Sequence, residues 1–180
     1  MPRGRVHDRE LLDALEALGG EAYRGDTWRT AWASRHALTG DGGGRWHPPD
    51  GFEALYTSLE ADGALAEVYY HLSKAPVFSS AAMRINRLRV ETERTLRLDR
   101  GDLARLGIDA AAFQSMDYAR SQEIGAAAYL LEFDSLMVPS ARGPSLNLVL
   151  FLDRLDPDRL QVIETLDVNW PAWKEKRGRT

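Results

Sequence analysis

"LRVETERTLRL", residues 88–98, carries the best strand signal in the chain. Leu88, Val90, Thr92, Leu96 and Leu98 share one parity, and charged side chains dominate the other. Side chains alternate across a strand, so the pattern gives a β-strand with one face on a core and one toward water. Arg94 falls on the apolar parity. A bulge or a pairing edge there would accommodate it, because either one breaks the alternation. The arginines of the preceding "MRINRLRV" then belong to a solvated face.

Outward from this strand, other elements follow by the same reasoning. "SLMVPS", "NLVLFLD" and "LQVIETLDV" read as three further strands, and "FEALYTS" as a short one. "EAYRGDTWRTAWA" is rich in aromatics and is interrupted by Gly25, which predicts two extended pieces around a bend. Helical spacing places Leu11, Leu12, Leu15 and Leu18 on one face, with Asp8 as the cap and Gly19 as the stop. "ADGALAEVYYHLSK" gives a helix with Leu65, Val68, Tyr69 and Leu72 inward. "YARSQEIGAAAYLLEF" gives another, and "GDLARLGIDAAAF" gives short helical pieces. Strands and helices mix without regular βαβ alternation, and no repeat or linker divides residues 1–180. The fold class is therefore α+β, a single domain with mixed or antiparallel sheets and flanking helices.

Composition narrows the function. The net charge of −4 lacks the basic excess of a broad nucleic-acid-binding face, so direct nucleic-acid binding is not expected. The chain contains no cysteine, which removes thiolate nucleophiles and thiolate metal sites. None of the four histidines pairs with another at helical spacing, so no metal site is expected. No run of about 18 apolar residues occurs, which predicts a cytoplasmic protein without a membrane span.

The chemistry-bearing residues form an ordered series. "GDGGGRWHPPDG", residues 40–51, is a loop whose glycines allow unusual dihedrals and close backbone approach to a ligand. It matches neither a phosphate-binding P-loop nor a dinucleotide fingerprint. The loop carries Arg45 and His47, with Trp46 read as its anchor in the core. Tyr56 follows at the end of a predicted strand. Glu67 lies in a helix among Ala64, Leu65, Ala66, Val68 and Tyr69, where a buried carboxylate would need a partner. Arg29 lies upstream in "TWRTAW", and Ser140 lies downstream in "MVPSAR".

These strings resemble the RES-domain family, named for arginine, glutamate and serine. "WRTAW", "GGGRWHPPDGFEALYTSLEADGALAEVYYHL", "QEIGAAAYLLEFDSLMVPSAR" and "NLVLF" occur in family order over about residues 28–151. One position departs: many members carry Asn after Arg-Trp, and this chain carries His47. The resemblance implies a bacterial toxin with an ADP-ribosyltransferase-like toxin fold. It implies NAD⁺ as substrate, cleaved at the nicotinamide–ribose bond by phosphorolysis or hydrolysis. The implied partner is an antitoxin, usually bearing an Xre-type helix-turn-helix, that masks the active site. Protein mono-ADP-ribosylation in the same pocket and a catalytically silent NAD-binding module are the alternatives.

With that substrate, roles can be assigned. Arg29 and Arg45 would clamp diphosphate or inorganic phosphate through bidentate, charge-assisted hydrogen bonds. Tyr56 would stack on nicotinamide. Glu67 would stabilise positive charge on the ribose as the glycosidic bond breaks. Ser140 would donate a hydrogen bond to phosphate or ribose, and His47 is a further candidate substrate contact. No metal or organic cofactor is required, and inorganic phosphate is the expected co-substrate. The tail "NWPAWKEKRGRT" is expected to pack across the domain, with docking to a partner as the alternative.

Overall fold

A computed structural model describes residues 8–74 and 82–179. Its organising element is β3 (Met83–Arg97), the strand that contains the alternating segment. One edge of β3 pairs antiparallel with β1 (Glu21–Trp32), from Trp32↔Met83 to Glu21↔Thr95. The other edge pairs antiparallel with β6 (Leu160–Asp167) through Arg84–Val90. Further along that edge, Thr95–Arg97 run parallel to β4 (Ser135–Pro139). β4 pairs with β5 (Leu146–Phe151), and β5 pairs with β2 (Ala54–Ser58), both antiparallel. β2 returns to β1 at one register pair, Trp28↔Ser58. Five strands thus close a ring around β1–β2–β5–β4–β3, with β6 attached outside it.

The irregularity expected at Arg94 is present. Between Tyr23↔Thr92 and Glu21↔Thr95, β3 carries one residue more than β1. The Glu93 and Arg94 amides both donate to Asp134 Oδ2, at 2.6 and 3.0 Å. The Arg94 guanidinium donates to Leu131 O and lies 4.4 Å from the Phe133 ring centroid. The cation therefore leaves the core at the bulge. The bend expected at Gly25 is absent, and β1 is one strand in which Gly25 pairs with Val90. The glycine makes room for the Tyr23 ring, whose hydroxyl would lie 2.7 Å from a Cβ at that position.

β4 and β5 are buried on both faces, which explains their unbroken apolar sequences. Leu136, Val138, Val149 and Phe151 join a cluster with Leu96, Leu98, Ile124 and Phe133. Met137, Leu148 and Leu150 face the opposite way, toward Leu55, Leu88 and Val90. The first cluster is covered by α1 (Arg9–Leu18), α3 (Arg100–Arg105), α4 (Ala110–Gln114) and α5 (Ala119–Leu130). α1 is capped by Asp8 and stopped by Gly19 at φ 69°. Its stripe buries Leu11 and Leu15. Leu18 is exposed, because the last turn extends past its cover.

α2 (Ala61–Leu72) packs differently from the expectation. Its buried residues are the small Gly63, Ala64 and Ala66, while Leu65, Val68, Tyr69 and Leu72 are only partly covered. A Cβ on Gly63 would lie 2.3 Å from Ser145 Oγ and 2.4 Å from Ser58 Oγ. Small residues therefore set the contact, and the helix lies close against the ends of β2 and β5. On its outer side lies α6 (Trp170–Arg177). Trp173 Nε1 donates to Asp62 Oδ1 at 2.6 Å, and Trp170 is buried, so the tail packs across α2 as expected. No helix among the described residues is long and apolar enough to cross a membrane.

Candidate active site

The ring is thinnest where β1 meets β2, and a cleft of about 490 Å³ opens there. Its walls are Trp28–Trp32 of β1, Asp41 and residues 43–46 of the glycine-rich loop, β2 and the inner side of α2. The loop needs its glycines for two reasons. Gly43 has φ 141°, a conformation that L side chains rarely adopt. A Cβ on Gly44 would lie 2.6 Å from the Tyr56 hydroxyl. Gly44 N donates to His47 O, which folds the segment into a tight turn. Trp46 is buried in the core beneath it. From α5, Gln122 Nε2 donates to Gly44 O, and Gly125 lies against the Trp46 carbonyl.

Glu67 lines the cleft from α2, one turn beyond Gly63. Ser140 Oγ donates to Glu67 Oε1 at 2.6 Å, and Asn147 Nδ2 donates to the same oxygen at 3.0 Å. Among the described residues no donor reaches Oε2. The carboxylate is thus fixed through one oxygen, and the other is available to a ligand. Ser140 does not present its hydroxyl hydrogen to phosphate or ribose. It is 1% exposed and gives that hydrogen to Glu67. Its oxygen accepts from Arg142 N at 3.0 Å. Ser140 is therefore a positioning residue for the carboxylate.

Arg29 also departs from its expected role as a substrate clamp. Its Nη1 and Nη2 donate to Asp41 Oδ2 and Oδ1 at 2.9 and 3.0 Å. Further bonds run to Tyr56 O and Thr39 O. Asp41 Oδ2 also accepts from Tyr56 N. The guanidinium fork is therefore occupied by a carboxylate in a largely buried ion pair, and it ties the start of the loop to β1 and β2. Arg45 is different. Its Nη2 reaches Ser115 O at 3.3 Å, and its Nη1 is buried with no hydrogen-bond partner. Its guanidinium carbon lies 4.5 Å from the Tyr118 ring centroid and 5.1 Å from that of Phe113. Burial, with a smaller contribution from Arg142, holds its pKa below the ordinary arginine value.

Tyr56 lines the cleft, but its hydroxyl belongs to the loop. It accepts from Trp46 N at 2.8 Å and lies 3.0 Å from His47 Nδ1. Burial pushes this phenol far above its ordinary pKa, so it stays protonated. His47 Nε2 lies 2.9 Å from Asp41 O, which can only accept, so Nε2 carries the hydrogen. Nδ1 is then left to pair with the Tyr56 hydroxyl, so both ring nitrogens have partners within the loop. His47 is 1% exposed and has no ring nitrogen left for a substrate. The expectation of a substrate contact there is corrected: His47 braces the loop. His71 lines the cleft, and burial lowers its pKa.

Sequence reasoning missed Asp41, Asn147, Arg142 and Tyr118. All four stood inside quoted strings, but Asn147, the second residue of β5, joins Glu67 only through the pairing Ser58↔Asn147. No group of three or more His, Asp or Glu among the described residues could hold a metal ion.

A ring-edge cleft with a braced glutamate and a loop-borne arginine occurs here in a chain whose residues 20–173 match the RES domain family model, and the chain belongs to that family. Among curated proteins it is 27% identical to the NAD(+) phosphorylase MbcT of Mycobacterium tuberculosis, over 95% of this chain and 97% of that protein. It is 28% identical to the probable NAD(+) phosphorylase Rv3189 of the same organism, over 85% and 78% respectively. Among solved structures it matches a chain of the M. tuberculosis MbcT–MbcA toxin–antitoxin complex, with TM-score 0.84 and 26% identity over 95% of this chain and 98% of that one.

Proposed function

We propose that this protein is an NAD⁺ phosphorylase and the toxin of a toxin–antitoxin pair. The observation that carries the reading is Glu67, held on one oxygen by Ser140 and Asn147 at the wall of the cleft. Breaking the bond between nicotinamide and ribose builds positive charge on the sugar. A carboxylate fixed before the reaction stabilises that charge without reorganising. Two neutral donors on Oε1 orient Glu67 and leave its charge intact for the sugar. Arg45, with an unpaired buried Nη1, supplies the anion-binding group that a phosphate-bearing substrate needs. The agreement with a phosphorylase along nearly the whole chain supports the same reading.

The proposal includes a kinship with ADP-ribosyltransferase toxins, in line with a glutamate at the edge of a strand-walled cleft. It includes a cytoplasmic site of action and an Xre-type antitoxin that covers the cleft. The presence of an antitoxin beside the matched structure supports a partner of that kind. Incubating the antitoxin-free protein with NAD⁺, with and without phosphate, tests the activity. ADP-ribose 1″-phosphate and nicotinamide are the expected products when phosphate is present. Free ADP-ribose in both buffers would make the enzyme a hydrolase. No loss of NAD⁺ in either buffer, from folded protein, would remove the enzymatic reading.

A further inference from the structure

Three guanidiniums in the cleft lack the counter-charge that Arg29 finds in Asp41: Arg35, which is exposed and donates to Gly40 O, and the pair Arg45 and Arg142. Arg45 has the orphaned Nη1 described above. Arg142 lines the same cleft, with its guanidinium carbon 3.5 Å from the Tyr70 ring centroid. Its side chain otherwise donates only a long bond, 3.7 Å, to the sulfur of Met116. Among the described residues neither arginine forms an ion pair. Both are held by aromatic faces, which position a cation without neutralising it. Their proximity is unfavourable as it stands, since the Arg142 charge opposes that of Arg45.

We propose that Arg45 and Arg142 together bind the inorganic phosphate co-substrate, as a tetrahedral dianion held between two guanidiniums. The inference rests on the NAD⁺ phosphorylase reading and assigns its second substrate to a place. An anion between the two side chains would turn their mutual repulsion into attraction and satisfy the buried Nη1. Phosphate chemistry also requires such a pair, because the nucleophile and Glu67 are both negative. Arg142 is connected to that carboxylate: its backbone N–H donates to Ser140 Oγ, and Ser140 donates to Glu67 Oε1. One short turn after β4 therefore carries the support of the glutamate and the cation that offsets its repulsion of phosphate.

The step balances without a further reactant. An oxygen of hydrogen phosphate forms a bond to ribose C1″ as the bond from C1″ to the nicotinamide nitrogen breaks. The bonding pair goes to that nitrogen, so the pyridinium leaves as neutral nicotinamide. The phosphate becomes the monoester of ADP-ribose 1″-phosphate.

The diphosphate of the dinucleotide offers the same oxygens, and kinetics separate the two sources. In Arg142→Gln the KM for phosphate should rise about ten- to hundredfold, as expected for lost charge-assisted hydrogen bonds, while the KM for NAD⁺ moves less than about threefold. Arg142→Lys should recover only part of the loss, since a lysine lacks the planar fork. A rise confined to the KM for NAD⁺ would place the diphosphate there and overturn the assignment. A binding measurement keeps the test independent of turnover. Inorganic phosphate alone, titrated calorimetrically onto the wild-type protein, should give a saturable signal that weakens at least tenfold in Arg142→Gln. Equal phosphate affinity in wild type and Arg142→Gln would refute the site even if phosphorolysis is observed. Wild-type protein that binds phosphate but consumes no NAD⁺ would support the site and refute the phosphorylase reading.

Discussion

Glu67 lines the cleft and is held through a single oxygen. Ser140 and Asn147 both donate to Oε1, so replacing the carboxylate by an amide can keep that scaffold, because the amide oxygen still accepts. Glu67→Gln should therefore lower kcat about 10²- to 10³-fold, the usual cost of removing one charge-stabilising group, with the urea midpoint of unfolding unchanged. A kcat within a factor of three of wild type would show that the sugar's charge is balanced elsewhere. His47 shows a second way in which residue chemistry decides role. It makes one donor bond to Asp41 O and one acceptor bond from the Tyr56 hydroxyl. Asparagine, the residue that the resemblance leads one to expect after Arg-Trp, also offers one donor and one acceptor end. The departure therefore preserves the hydrogen-bond inventory of the loop. Arg29 and Arg45 make the opposite point, since two arginines expected to clamp the same anion differ entirely in what their forks meet.

The glycine-rich loop and α5 are joined more tightly than either sequence indicates. Gly125 lies mid-helix, where alanine would ordinarily gain about 0.5–1 kcal/mol through backbone entropy. Here a Cβ would lie 1.7 Å from the Trp46 carbonyl oxygen, which is backbone and cannot rotate aside. Overpacking of this kind costs about 1–3 kcal/mol, so the steric effect outweighs the propensity gain. Gly125→Ala should lower the urea midpoint and also lower kcat/KM, because the displaced peptide is next to Arg45. Stabilisation by about 1 kcal/mol, with activity retained, would show that α5 can move away from the loop at no cost. The same close approach recurs at Gly63 against Ser58 and Ser145, which sets the position of Glu67. At both places a helix is located by the absence of a side chain.

Across the whole molecule, what the sequence made legible follows from the range of the interactions. Local signals were readable: the alternation of Leu88–Leu98, the Asp8 cap and Gly19 stop, and the apolar runs of β4 and β5 all correspond to elements. The partnerships were not, because they depend on pairing between distant strands. Asn147 meets Glu67 only because β5 lies beside β2, and Ser140 is committed to that carboxylate by the turn that follows β4. Gly25 and the large residues of α2 misled for a related reason, since a neighbouring ring or a close helix contact overrode the local pattern. The ring itself carries a further consequence. Its closure between β1 and β2 depends on one register pair, and the cleft lies along that seam. A ligand touching β1, the loop and α2 would tie the two sides together and stabilise the fold as a whole. Glu67→Gln, which should bind NAD⁺ without consuming it rapidly, isolates this effect. At an NAD⁺ concentration 100 times its Kd, linkage gives about 2.7 kcal/mol. For a domain of this size that corresponds to a rise in Tm of roughly 5–10 °C, read by differential scanning calorimetry. The rise should track the logarithm of NAD⁺ concentration above Kd. A Tm that stays flat while equilibrium dialysis shows NAD⁺ bound would mean that the dinucleotide binds the unfolded chain equally well, and the folded cleft would lose its claim to the substrate.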